Sequence, residues 1–196
     1  MTQSATFMAL RVRPRTMTEA SHARIAVTGT PGTGKTSICR LSESMVSVAD
    51  LAVKADAIGE VDDSDGAAPI DIEKLRQFLA TKWAQPAEET LLVDGHLSHL
   101  LPIDAVVIIR CDPRILRERM AARGWSESKV EENAEWELLG GAWSELEEWS
   151  GVPILELEST DVSPASLFQA IWGWAGVAFK PDSPERPIDW VERIHG

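Results

Sequence analysis

The stretch RIAVTGTPGTGKTS, residues 24–37, decides the architecture. RIAVT (24–28) is apolar enough for a buried strand, and KTSICRLSE (35–43) begins a helical pattern. Between them, GTPGTGKT (29–36) matches G-x-x-x-x-G-K-[ST] at every fixed position. Glycines at 29, 32 and 34 let the backbone curl until successive N–H groups point inward, a concave site for phosphate. In such a loop Lys35 is a mobile cation for the β- and γ-phosphates, and Thr36 offers its hydroxyl to Mg²⁺. A glycine-rich turn with an incidental lysine would lack the flanking strand and helix.

Outward from this P-loop, short apolar strands alternate with helical patterns, the signature of a parallel α/β sheet. SMVSV (44–48) is a candidate second strand. TLLVD (90–94) and AVVIIR (105–110) are continuous apolar runs, as strands buried on both faces require. PILEL (153–157) is the last strand. DIEKLRQFLATKW (71–83) carries apolar residues at 72, 75, 78, 79 and 83, which is helical spacing. CDPRILRERMAARG (111–124) predicts a helix capped by Asp112, with Pro113 in its first turn and Gly124 past its end.

SESKVEENAEWELLGGAWSELEEW (126–149) predicts a further helix, with Ser128 and Glu131 as a capping box. Gly140-Gly141 either kinks it or divides it in two. Its stripe of Trp136, Leu139, Trp143 and Leu146 is expected in the core. SPASLFQAIWGWA (163–175) is the final helix, and EVDDSDG (60–66) is too acidic to pack. Residues 1–23 are expected to form a disordered tail, 24–176 the folded domain, and the Pro-rich 177–196 a tail wrapping the surface.

A chain of 196 residues suits one domain with tails. No apolar run approaches the ~20 residues of a membrane span. Cys39 and Cys111 form no metal-ligand spacing and no disulfide framework, which fits a reducing cytosol and a cytoplasmic location. The net charge of −12 argues against general or sequence-specific nucleic-acid binding. Yet Arg110, Arg114, Arg117, Arg119 and Arg123 crowd together, either as a solvated helix face or as a site for a compact polyanion.

The stretch VDGHLSHL (93–100) ends a strand in Asp94, with His96 two positions later. In P-loop proteins a strand beside the P-loop strand ends in an acid that holds the Mg²⁺ shell, and Asp94 fits that part. Asp94 is alternatively a turn cap before Gly95, and His96 alternatively a loop histidine with a structural bond. His99 is read as structural. Phosphoryl transfer needs charge neutralised and reactants aligned, so a small kinase should carry lid arginines over the γ-phosphate. Arg119 and Arg123 lie four residues apart before the hinge Gly124. No guanine-reading N-K-x-D motif is present, and a motor ATPase needs a longer chain. A compact nucleotide kinase remains.

RIAVTGTPGTGKTS, the D-x-H of VDGH, and VVIIRCDPRILRERMAARGWSESKVEENAEWE resemble the adenylate kinase isoenzyme 6 family, across roughly residues 24–174. The specific part is R-x-x-x-RG-[YW]-x-x-x-K-[VL]-x-x-N-x-x-x-E beside the P-loop and D-x-H. The resemblance implies a P-loop NTPase fold of nucleoside-monophosphate-kinase type, a five-stranded parallel sheet flanked by helices with a short lid at about 122–132. It puts ATP on Gly32, Thr33, Gly34, Lys35, Thr36, Ser37 and Arg123, and Mg²⁺ on Thr36 and Asp94. It marks about 47–70 as the monophosphate segment, with Asp50, Lys54 and Arg76 toward AMP, and makes Asp94 and His96 an unorthodox acid–histidine pair. Lys35, Asp94, His96, Arg119 and Arg123 are then the catalytic set.

Two departures stand out. The link between the P-loop helix and ADLA (49–52) is short, so the first helix or second strand must be trimmed. Val53-Lys54 follows Asp-Leu-Ala where the family tends to have arginine, and lysine offers a point charge in place of a bidentate fork. The resemblance implies adenylate kinase activity, ATP + AMP to 2 ADP, with intrinsic ATPase activity and a role in small-ribosomal-subunit maturation. The other reading is a nucleotide-gated assembly factor, whose acidic 60–65 loop and glutamates around 131–148 would suit a basic small-subunit ribosomal protein.

Overall fold

A computed structural model describes residues 22–60, 68–146 and 151–196. Strands β1 (Arg24–Thr28), β2 (Met45–Ser47), β3 (Leu91–Asp94), β4 (Ala105–Arg110) and β5 (Ile154–Glu158) form one sheet in the order β2-β3-β1-β4-β5. All pairings are parallel. Parallel strands need crossover connections that cover both faces, so the central strands are apolar between their ends. β4 is buried at every position.

The helices are α1 (Lys35–Cys39), α2 (Val48–Lys54), α3 (Ile72–Lys82), α4 (Pro113–Ala121), α5 (Glu127–Leu138), α6 (Gly141–Leu146), α7 (Pro164–Gly176) and α8 (Trp190–His195). On one face, Ile25, Val27, Val107 and Ile109 pack against Ile38 of α1 and Leu167, Ile171 and Trp174 of α7. On the other, Ala26, Val106 and Ile108 meet Ala142 of α6. Leu51 of α2 and Leu75 and Leu79 of α3 cluster with Val93 of β3. Asp112 caps α4 by accepting from the Arg114 amide at 2.8 Å, with Pro113 in the first turn as its spacing predicts.

α1 has five residues and β2 three, so both elements are short where the sequence required trimming. Gly140, at φ 67°, ends α5, and α6 starts at the next residue. Two expectations for this region are corrected. The tryptophan–leucine stripe is core only in part: Trp143 packs against the Ala26, Val106 and Ile108 cluster, whereas Trp136 and Leu139 point away from the buried face of α5 and are 42% and 76% exposed. The buried face of α5 is instead Val130, Ala134 and Glu137. Leu146 contributes no described side chain. The capping box is also absent: α5 is preceded by Ser126, and Glu131 pairs with Arg117 at 2.9 Å.

The C-terminal segment folds onto the domain. Phe179 and Trp190 are buried, and Asp182 accepts a hydrogen bond from the Ile154 amide at 3.0 Å. The expected N-terminal tail falls, up to residue 21, outside the described residues. The same holds for most of the acidic loop, and for Glu147 and Glu148. No helix among the described residues is long and apolar enough to cross a membrane.

Candidate active site

The P-loop runs from the end of β1 into α1. Gly29 sits at φ 128° so close to β4 that a Cβ there would lie 2.2 Å from the Ile109 carbonyl oxygen. Gly32 and Gly34 also take left-handed backbone, at φ 93° and 97°. This curl buries Thr30, Thr33 and Lys35, while Thr36 and Ser37 remain exposed. Lys35 Nζ folds back to donate to the Gly29 and Thr30 carbonyls at 2.6 and 2.8 Å. Burial pulls its pKa down to about 8, although Asp94 and Glu137 oppose that shift.

Asp94 ends β3 opposite Val27 of β1, the position expected for the acid beside a P-loop strand. Its Oδ2 accepts the Thr36 hydroxyl at 2.7 Å. Its Oδ1 is buried with no hydrogen-bond partner among the described residues. An exposed hydroxyl, an anionic oxygen and an orphaned carboxylate oxygen together form a hard-oxygen donor set suited to Mg²⁺.

His96 is exposed at the mouth of this site, and its carbonyl accepts the Thr28 hydroxyl at 2.7 Å. The surrounding protein, and then the Lys35 charge, lower its pKa, so the imidazole is neutral at pH 7. His99 is buried, with Nδ1 2.8 Å from Thr28 Oγ1. Glu145 Oε2 lies 3.0 Å from His99 Nε2 but without hydrogen-bond alignment. Burial therefore dominates and lowers the His99 pKa to about 4.

The crowded arginines separate into different roles. Arg110 is buried between Glu137 and Glu156. Arg114 pairs with Asp112 and Arg117 with Glu131. Arg119 Nη2 donates to the Ser159 and Thr160 carbonyls, both at 2.8 Å, and so fastens α4 to the loop after β5. Arg123 is exposed beside Gly124 and contributes to the field at Lys35.

Of the residues expected toward the monophosphate, Asp50 lies in the first turn of α2 and accepts the Ser47 hydroxyl at 2.7 Å. Lys54 stands one turn further along the same helix, and Arg76 lies on α3; all three are exposed. Sequence reasoning missed Thr28, Thr30, Glu137 and Ser159. Ser159 donates to the Thr33 carbonyl at 2.8 Å, and Glu137 accepts the Thr30 hydroxyl. The signal for Glu137 lay in the N-x-x-x-E end of the quoted pattern, where an acid interrupts the apolar face of α5.

A five-stranded parallel sheet in this order, with the P-loop on its central strand and an acid at the tip of the neighbour, defines a P-loop NTPase of kinase-like α/β fold. Residues 25–140 match the family described as AAA domain. The chain is 39% identical over 180 residues to the "Putative adenylate kinase" of Archaeoglobus fulgidus, covering 87% of this chain and 93% of that one. It is also 39% identical over 177 residues to the protein of the same name in Methanocaldococcus jannaschii, covering 87% and 94%. The chain belongs to this adenylate-kinase-like family. A gluconokinase from Sinorhizobium meliloti 1021 shares the fold alone, with TM-score 0.51 and 15% identity over 80% of this chain and 93% of that one.

Proposed function

We propose that this nucleotide kinase transfers the γ-phosphoryl group of Mg-ATP to AMP and releases two ADP. The observation that carries the reading is the Thr36–Asp94 pair beside the P-loop, with Asp94 Oδ1 left open, in a chain of this family. An AMP phosphate oxygen attacks the γ-phosphorus, and the bond to the β–γ bridging oxygen breaks. Thr36 and Asp94 would hold Mg²⁺, which would supply charge neutralisation for the transferring phosphoryl group. Lys35 leaves the Gly29 and Thr30 carbonyls for the phosphates, and Arg123 closes over them from the lid. Arg119 serves this step by fastening the last turn of α4 to the loop after β5. Asp50, Lys54 and Arg76 face the monophosphate.

Within the adenylate kinases, VDGH and the RGW pattern support the finer assignment to isoenzyme 6, and with it an intrinsic ATPase activity and a place in small-subunit maturation. A neutral His96 at the mouth is suited to accept a hydrogen bond from water, so hydrolysis runs when AMP is absent. The test is ADP production from Mg-ATP with and without AMP, repeated with His96→Ala. AMP should accelerate ADP release strongly, and the variant should lose hydrolysis more than transfer.

A second reading is supported by the exposed Glu127, Glu132 and Glu135 of α5, an acidic face suited to a basic ribosomal protein. In that case nucleotide acts as a switch, and AMP leaves the rate unchanged.

A further inference from the structure

We propose that Glu137 is a positioning residue for the P-loop, and that the C-terminal segment belongs to the nucleotide site because it helps to seat Glu137. The identity of the ligand rests on the function proposed above; the coupling between the two ends of the chain does not.

Glu137 is 2% exposed, and its two oxygens face different parts of the molecule. Oε2 accepts the hydroxyl of Thr30, the P-loop residue whose carbonyl holds Lys35 Nζ at 2.8 Å. Oε1 accepts from Arg110 Nε at 2.7 Å, the Cys111 amide at 3.1 Å and Trp190 Nε1 at 3.0 Å. Arg110 also donates from Nη2 to the Glu137 carbonyl at 2.9 Å, and from Nη1 to the Ile188 carbonyl at 3.2 Å. The Ile188 amide in turn donates to Glu156 Oε2 at 2.7 Å, and Glu156 Oε1 pairs with Arg110 Nη1 at 2.8 Å. Three distant parts of the chain therefore close on one carboxylate: the P-loop, the end of β4 and residues 188–190.

A carboxylate this buried is tolerable only when its lone pairs are satisfied, and in a low-dielectric network each bond strengthens the others. The carboxylate is rigid, so a shift of Oε1 toward or away from Trp190 is carried to Oε2 and to Thr30. Glu137 is not placed to touch the reacting phosphates. It sets where the Thr30 carbonyl stands, and hence the resting place of Lys35. Trp190 sits 160 residues from Thr30 in sequence and reaches it through a single side chain.

The test uses the full chain with Trp190→Phe, Thr30→Val and the double variant. Trp190→Phe keeps an aromatic ring and drops the indole N–H, whereas Glu137→Gln would strip Arg110 of a buried counter-charge and threaten folding. Hydrogen–deuterium exchange without nucleotide reads the P-loop directly, with α3 as the internal control. Affinity for the Mg²⁺ complex of a β,γ-imido ATP analogue reads the site. Trp190→Phe should speed exchange across residues 29–36 and leave 72–82 unchanged. It should weaken the analogue about fivefold, the fold-change of one lost buried hydrogen bond. The double variant should be no worse than the worse single one, because both act through Glu137. Unchanged exchange at 29–36, an equal change at 72–82, or additive effects would overturn the proposal. Should the wild type bind no analogue, the function proposed above fails, and the exchange data still decide the coupling.

Discussion

Thr36 donates its hydroxyl to Asp94 Oδ2 across 2.7 Å, joining the first turn of α1 to the tip of β3. The parallel register that sets Val27 opposite Asp94 brings the two together. The bond uses one carboxylate oxygen and leaves the other buried and open. Asp94→Asn keeps the shape and removes the charge. Phosphoryl transfer should fall ~10²–10³-fold, the usual scale for losing one electrostatic contact to the transition state. The Mg²⁺ concentration for half-maximal rate should rise, and circular dichroism should be unchanged. Steady-state kinetics across a Mg²⁺ titration check this.

Lys35 is a buried lysine whose charged form is disfavoured in the folded chain. Its folded pKa of about 8 lies below the ordinary 10.5, so between these values the unfolded chain binds more protons than the folded one. Stability should therefore rise with pH across that window, by about 3 kcal/mol at most, and the full penalty is present below it. Lys35→Met should abolish transfer, be more stable than wild type at pH 7, and lack that rise. Denaturant midpoints of the two proteins at pH 7 and pH 10 measure the difference.

His99 works in the opposite pH range. Its folded pKa is about 4 against an ordinary 6.5, so below 6.5 the unfolded chain takes up a proton that the folded one refuses. The corresponding stability, about 3 kcal/mol at most, is present above pH 6.5 and lost as pH falls toward 4. His99→Gln should flatten the acid limb of a thermal-midpoint profile over that range relative to wild type.

Two glycines with left-handed backbone should respond very differently to alanine. At Gly29 the new Cβ would meet a β4 carbonyl oxygen at 2.2 Å, and at Gly124 it meets nothing within 4 Å. Gly29→Ala should cost more than ~4 kcal/mol or fail to fold, since main chain must move. Gly124→Ala should cost only the ~1–2 kcal/mol of a non-glycine residue at positive φ. Chemical denaturation separates the two.

The fold was legible because its signals are local. The continuous apolar runs of β3 and β4 and the strand–GTPGTGKT–helix order specify a parallel sheet without any tertiary knowledge. Asp94 could be read from its place at a strand tip. What could not be read was long-range. Glu137 looks like one more glutamate in an acidic helix, and its burial depends on Arg110 and Trp190 arriving from elsewhere. The tryptophan–leucine stripe looked like core, but α5 is seated on Val130, Ala134 and Glu137, which leaves Leu139 on the opposite side. Arg119 and Arg123 share a helical spacing, but the carbonyls that hold Arg119 belong to the loop after β5.

Phosphorus NMR of the products formed from Mg-ATP and AMP tests the central claim most directly. Transfer predicts two ADP for each ATP consumed, with AMP disappearing in step and little inorganic phosphate. Inorganic phosphate appearing one-for-one with ADP, while AMP stays constant, would contradict it.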